Sequence, residues 1–215
     1  ELTPACAWEL AKILDEAGCP KGVFNLVLGS GSVVGARIAE HPDIDAVSFT
    51  GSVPTGRQIG VTCASLGKKV QMEMGGKNPM VVMDDADLDV AIGACVNGAF
   101  FSTGQRCTAS SRLIVTKGIY DKFVSALTEA ADSLVVGDAL DSATQIGPVV
   151  DEKQLQQNVD YIKLAADEGC DVRGGSIQNG PGFFQKPAVF ALATNEMRVS
   201  REEIFGPCAS VIKAD

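Results

Sequence analysis

The stretch Ala46-Val47-Ser48-Phe49-Thr50-Gly51-Ser52-Val53-Pro54-Thr55-Gly56 decides the fold. Residues 46–49 form a short β-type run. Residues 50–55 are turn formers, and the chain beyond them reads as a helix ending near Ala64 or Ser65. A strand that breaks at glycine and resumes as a helix is half of a βαβ unit. The pattern repeats on either side. Upstream, residues 23–28 read as an apolar strand, and Gly29-Ser30-Gly31-Ser32 turns into a helix near residues 33–40. Downstream, residues 69–74 form another strand. The order β-α-β-α-β predicts parallel strands with helices packed outside them. Such sheets bind ligands beyond the carboxyl ends of their strands, so the loops at Gly29, Gly51 and Gly75 are the places to look.

Further upstream, Thr3-Pro4 reads as an N-cap followed by proline at the first helical position. Ala7, Trp8, Leu10, Ala11 and Leu14 give that helix an apolar stripe, and Gly18 and Pro20 end it. The second half has the same class of pattern. It reads as a strand at 79–83, an acidic turn at 84–87, a helix at 88–100, a strand at 113–116 and a helix at 120–134. A helix at 152–168 follows, with Leu155, Val159, Ile162 and Ala166 on one face. Residues 174–182 read as a loop, and strands follow at 189–191 and 209–213. The expected fold class is α/β, built of two parallel-sheet units hinged at Gly75-Gly76. One unit covers 1–76 and the other 77–215. Both ends fall mid-pattern, so a piece of a longer protein is expected.

Composition narrows the function. The 215 residues are 46% hydrophobic and 21% charged, as in ordinary soluble proteins. No apolar run reaches bilayer length and no leader pattern opens the chain, so a cytoplasmic protein with no membrane partner is expected. The net charge of −9 repels phosphate backbones and argues against nucleic acid. Seven cysteines without a CxxC pair argue against a disulfide framework or zinc module. The single histidine, His41, cannot supply a His-based metal site, and no metal is expected.

Five places carry chemistry. Gly29-x-Gly31-x-x-x-Gly35 follows a strand and opens a helix, where phosphate binds well; it also reads as a bare strand–helix turn. In Phe49-Thr50-Gly51-Ser52, Gly51 lets a ligand approach the backbone, and Ser52 either caps the helix or bonds a phosphate. Glu73, between Met72 and Met74, has the makings of a general base if buried; otherwise it is an exposed strand-end carboxylate. Cys107 lies in the small polar loop Thr103-Gly104-Gln105-Arg106-Cys107-Thr108-Ala109, which keeps a thiol reachable, and Arg106 is placed to favour the thiolate. The other six cysteines are expected as buried structural thiols. In Glu202-Glu203-Ile204-Phe205-Gly206-Pro207, a glutamate has hydroxyls to bond and Phe205 a flat ring to meet; the plainer reading is a surface turn.

Taken in order, these segments resemble the aldehyde dehydrogenase superfamily. The resemblance rests on Phe49-Thr50-Gly51-Ser52, Met72-Glu73-Met74-Gly75-Gly76-Lys77-Asn78-Pro79, Gly104-Gln105-Arg106-Cys107 and Glu202-Glu203-Ile204-Phe205-Gly206-Pro207. The segment Ala17-Gly18-Cys19-Pro20-Lys21-Gly22-Val23-Phe24-Asn25 is also similar. The resemblance implies part of a Rossmann-like NAD(P)-binding domain joined to part of a catalytic domain. It implies that the Cys107 thiolate attacks an aldehyde, that hydride leaves to NAD or NADP, and that Glu73 activates water to release a carboxylic acid from the thioester. The Cys107 N–H would donate to the oxyanion. Gly29, Gly35, Phe49, Gly51, Ser52 and Gly75 would line the cofactor, with Glu203 on the nicotinamide ribose and Phe205 beside the ring.

The family also uses an asparagine and a lysine upstream of Glu1 and a portion downstream of Asp215, so this polypeptide alone is expected to be inactive. The segment 104–112 looks most like members that oxidise semialdehydes, such as 2-oxoglutarate or succinate semialdehyde. The parent enzyme is expected as a homo-dimer or homo-tetramer. Two alternatives stand beside this reading: a cysteine acyltransferase or thioesterase without nicotinamide, and a non-catalytic relative.

Overall fold

In the computed structural model, which describes residues 1–215, the chain divides into two units, Glu1–Met74 and Gly75–Asp215. The first is built on the deciding stretch. Strand β1 (Ala46–Gly51) runs directly into a helix, Val53–Ser65, and returns as β2 (Lys69–Met74), parallel to β1. Two further helices precede β1, so we number them α1 (Ala5–Glu16), α2 (Ala36–Glu40) and α3 (Val53–Ser65). The ladder places Phe49 opposite Met72, Thr50 opposite Glu73 and Gly51 opposite Met74. Side chains from the sheet pack on α3 where it has none: a Cβ at Gly56 would lie 2.6 Å from Met74 Sδ.

Three expectations for this unit fail. Residues 23–28 form no strand, and Val23 and Val27 are exposed. An apolar run becomes a strand only when a neighbour takes up its backbone hydrogen bonds, and in this unit only β1 and β2 pair. The second helix begins as a five-residue π-type turn, Gly31–Gly35, before α2. In α1, Pro4 occupies the cap position and Thr3 does not cap; Ala7, Ala11 and Leu14 are half-buried, whereas Trp8 and Leu10 are exposed.

The second unit holds a five-stranded sheet in the order β3 (Pro79–Val82), β4 (Arg112–Thr116), β9 (Cys208–Ala214), β8 (Ala188–Ala193), β5 (Asp171–Gly174). The first four are parallel and β5 is antiparallel to β8, so the sheet is mixed rather than wholly parallel. Strand alternation builds two cores. Val189 and Ala191 of β8 with Ala209 and Val211 of β9 face α4 (Leu88–Phe100) and α5 (Tyr120–Ser133), where Phe100, Phe123 and Leu127 are buried. Ala188, Phe190, Cys208 and Ile212 take the other face with α6 (Glu152–Asp167) and α7 (Arg198–Arg201). Acidic caps start the helices: Asp87 accepts from Val90 N at 3.1 Å and Asp151 from Gln154 N at 2.7 Å.

The presumed loop at 174–182 contains part of a short hairpin, β6 (Ile177–Gln178) with β7 (Phe184–Gln185). Ala166 is exposed; the buried positions of α6 are Asn158 and Ala165, so its inward face is partly polar. No helix is long and apolar enough to cross a membrane.

Candidate active site

The first unit offers a helix N-terminus at the carboxyl end of β1. Ser52 holds the N-cap position of α3 in an extended conformation, but its hydroxyl donates to Thr55 Oγ1 at 2.9 Å and caps no backbone group. Pro54 has no N–H and Gly56 N already donates to the Ser52 carbonyl at 2.9 Å, so the N–H groups of Val53 and Thr55 stay available, at the positive end of the helix dipole, for an anion. The Phe49 ring lies over the turn, and a Cβ at Gly51 would sit 2.6 Å from its Cζ. Gly29 packs close to Val34 Cγ2, whereas Gly35 has open space around it. Glu73 lies near the carboxyl end of β2 and is exposed, so the burial that its reading as a base invoked is not met within this unit. Its one side-chain contact there is Gln71 Nε2 to Oε1 at 3.5 Å.

In the second unit, Cys107 is exposed on a loop that is itself tightly held. At the end of α4 the chain turns through Ser102, Thr103 and Gly104, all left-handed, with φ of 55°, 57° and 65°. Such conformations cost non-glycine residues about 1–3 kcal/mol each and persist only where surroundings enforce them. Here they do. The buried Thr103 hydroxyl donates to the Gly147 carbonyl at 3.2 Å. Gln105 Oε1 accepts from Val150 N at 3.1 Å. Asn78 Nδ2 donates to the Cys107 carbonyl at 2.5 Å and to that of Ala109 at 3.4 Å. Gly104 also touches the Gly206 carbonyl where a Cβ would be, which ties the loop to the 202–207 turn.

Arg106 departs from its expected role. Its guanidinium donates to the carbonyls of Asn97 and Gly98 at the end of α4, so it anchors the loop. The thiol reading rests instead on exposure and on the anchored backbone.

The turn after α7 separates two adjacent glutamates. Glu202 is taken up: Arg198 Nε and Nη2 donate to it at 2.8 and 3.0 Å, and Tyr161 Oη at 2.7 Å. The Arg198 and Tyr161 hydrogen bonds hold its carboxyl below the usual range, while burial and Glu202 push the Tyr161 phenol up to about 12. Glu203 is comparatively free. Its Oε1 accepts only from Gly76 N, at 3.4 Å, and its carboxylate lies where a Cβ on Gly75 would be. Gln154 and Gln157 clamp the buried Ile204 through its carbonyl at 2.9 and 2.8 Å. Phe205, at φ 59°, is turned outward and part exposed. A narrow cleft brings Gly76, Gly104, Arg106, Glu203 and Phe205 together.

Sequence reading missed Asn78, Thr103, Arg198 and Tyr161, which act by holding others. Asn78 and Thr103 left a signal, standing inside the Met72–Pro79 and Thr103–Ala109 segments; Arg198 and Tyr161 left none. The expectation of six buried structural thiols holds for Cys63, Cys95, Cys170 and Cys208, but Cys6 is exposed and Cys19 half-buried. Cys6 lies on α1, which has no buried residue.

With this geometry in place, comparison with known proteins identifies the class. The profile of the aldehyde dehydrogenase family matches residues 1–215, and the chain belongs to that family. Betaine aldehyde dehydrogenase of Rhizobium etli (strain CIAT 652) is 47% identical over 100% of this chain and 45% of its own length. Alpha-ketoglutaric semialdehyde dehydrogenase of Bacillus subtilis (strain 168) is 44% identical, again over 100% of this chain and 45% of its own length. Among solved structures, the NAD+ complex of an aldehyde dehydrogenase from Bacillus cereus superposes with a TM-score of 0.96 at 40% identity, over 99% of this chain and 44% of that one. The chain thus spans less than half the length of the relatives it matches.

Proposed function

We propose that the protein carrying this chain oxidises an aldehyde to a carboxylic acid with NAD or NADP, using Cys107 as nucleophile and Glu73 as base. The observation that carries the reading is the Cys107 loop: an exposed thiol on a backbone locked by Asn78, Thr103 and Gln105. Rigid presentation of a nucleophile removes much of the orientational cost of attack. The Cys107 N–H takes no part in the loop's hydrogen bonds and serves as an oxyanion donor. Glu73 activates the water that cleaves the acyl–Cys107 thioester.

The residues present fit the cofactor. The uncapped N-terminus of α3 with Gly51 and Ser52 suits a pyrophosphate, with Phe49, Gly29 and Gly35 around it. The free carboxylate of Glu203, seated on Gly75, suits ribose hydroxyls, and Phe205 offers a flat face beside them. When bound, the nicotinamide supplies the hydride acceptor. In this reading residues 1–76 belong to the cofactor-binding domain and 77–215 to the catalytic domain.

The substrate we favour is a semialdehyde, on the resemblance of residues 104–112. The same reading includes a homo-dimer or homo-tetramer acting in the cytoplasm, and an inactive 215-residue piece. The test is NAD(P)H formation by the whole protein with a dicarboxylic semialdehyde and with betaine aldehyde. Production from the semialdehyde at the higher kcat/KM supports the reading. A preference for betaine aldehyde removes the substrate assignment, and no turnover of any aldehyde removes the activity.

A further inference from the structure

The Ile204 carbonyl accepts from two side chains of α6, Gln154 Nε2 at 2.9 Å and Gln157 Nε2 at 2.8 Å. A carbonyl oxygen has two lone pairs, so this one is fully taken up. The same helix supports the residues on either side. Tyr161 Oη donates to Glu202 at 2.7 Å, and Asn158 packs where a Cβ on Gly206 would be. Residues 154, 157, 158 and 161 stand at the i, i+3, i+4 and i+7 spacing that makes one face of a helix. Gln156, between them in sequence, is exposed and donates to Asp160 at 2.8 Å.

The clamped carbonyl belongs to the peptide plane that leads into Phe205. Its direction sets ψ of Ile204 and constrains φ of Phe205, which is 59°. That left-handed conformation crowds a residue with a Cβ and persists only where surroundings enforce it. The Phe205 ring supplies no such hold, because it is part exposed and lies outside both cores. The hold comes from Ile204, through its buried side chain on one side and the two glutamines on its carbonyl on the other. The glutamines are not equivalent. Gln154 shares its amide with Asn158 Oδ1 at 2.8 Å, whereas the Gln157 amide serves Ile204 alone.

We propose that Gln157 is a positioning residue that grips the Ile204 carbonyl and so holds Phe205 left-handed, with its ring turned outward for the nicotinamide. The inference rests on the reading of Phe205 as a cofactor residue. Gln157 does not touch the cofactor; it acts through the Ile204–Phe205 peptide.

The test is fluorescence titration of the whole protein with NADH or NADPH, whichever the wild type binds more tightly. The variants are Gln157→Met, which keeps the length but not the donor, Phe205→Ala, the double variant Gln157→Met/Phe205→Ala, and Gln156→Met as the control on the outer face of α6. The expected result is a roughly threefold to tenfold weakening for Gln157→Met and none for Gln156→Met. In steady state the KM for the cofactor rises by the same factor, and the KM for aldehyde holds. The weakening disappears in the Phe205→Ala background. If Gln157→Met does not fold, Gln157→Asn, whose amide falls one methylene short of the carbonyl, carries the same comparison. Gln157 variants that bind like wild type, while Phe205→Ala binds weakly, overturn the proposal alone. Weakening that persists in the double variant overturns it too, since Gln157 then acts elsewhere. Equal weakening by Gln156→Met also overturns it, because the effect then belongs to the helix as a whole. A Phe205→Ala variant that binds like wild type removes the cofactor reading of Phe205 itself, and this proposal with it.

Discussion

The side-chain amide of Asn78 donates to the backbone carbonyl of Cys107 at 2.5 Å, and so joins the start of β3 to the loop that presents the thiol. Asn78 also closes the sheet locally, its own carbonyl accepting from Arg112 N at 3.3 Å. Asn78→Ala frees the Cys107 and Ala109 carbonyls. We expect a stability loss of about 1–2 kcal/mol and a lowered kcat with little change in KM for NAD(P). Thermal unfolding and steady-state kinetics of the whole protein check both, and a changed KM with unchanged kcat contradicts the loop-positioning role.

Cys107→Ser should leave stability unchanged, because the thiol is exposed, while activity falls by roughly a thousandfold or more. Iodoacetamide should label Cys107 and Cys6 ahead of the buried Cys63, Cys95, Cys170 and Cys208. Peptide mapping after brief exposure reads the order, and labelling of Cys107 no faster than of the buried group counts against the exposed loop.

Gly104→Ala should be among the most damaging small substitutions in the second unit. Alanine there meets both a φ of 65° and the Gly206 carbonyl. We expect more than about 2 kcal/mol of lost stability together with lost activity, measured by denaturant midpoint and turnover. Wild-type stability would contradict the tight contact of the Cys107 loop with the 202–207 turn.

Lys77 gives a pH dependence with a definite sign. Its folded value, about 8, lies below the ordinary 10.5. The folded protein therefore binds fewer protons between these values, and stability rises with pH across that window. Below about 8 the buried charge is a full penalty. Lys77→Met should thus be more stable than wild type at neutral pH, by on the order of 2 kcal/mol, and the advantage should shrink toward pH 10.5. Chemical denaturation of both proteins across that range checks the sign; a variant that is less stable at neutral pH contradicts it.

Local chemistry explains what the sequence made legible. The β1-to-α3 turn is written in Thr50-Gly51-Ser52-Val53-Pro54, and α4 is announced by its cap Asp87 and apolar run, so both were readable from neighbours alone. The Cys107 loop was readable as small and polar. Illegible features depend on distant partners. Residues 23–28 have a strand's composition but no neighbour to pair with in their unit. β5 is short and antiparallel, and only β8 makes it a strand. The polar face of α6 hid because Gln154, Gln157 and Asn158 serve the Ile204 and Gly206 turn, which lies far along the chain. Arg106 looked like a partner for the thiol until the carbonyls of α4 claimed it.

The most direct test of the central claim is mass spectrometry of the whole protein carrying Glu73→Gln, quenched after mixing with aldehyde and NAD(P)+. If Cys107 is the nucleophile and Glu73 the base, an acyl adduct accumulates on the peptide containing Cys107, and wild type under the same conditions shows little. An adduct on another residue, or Glu73→Gln turning over at the wild-type rate with no adduct, would contradict the account.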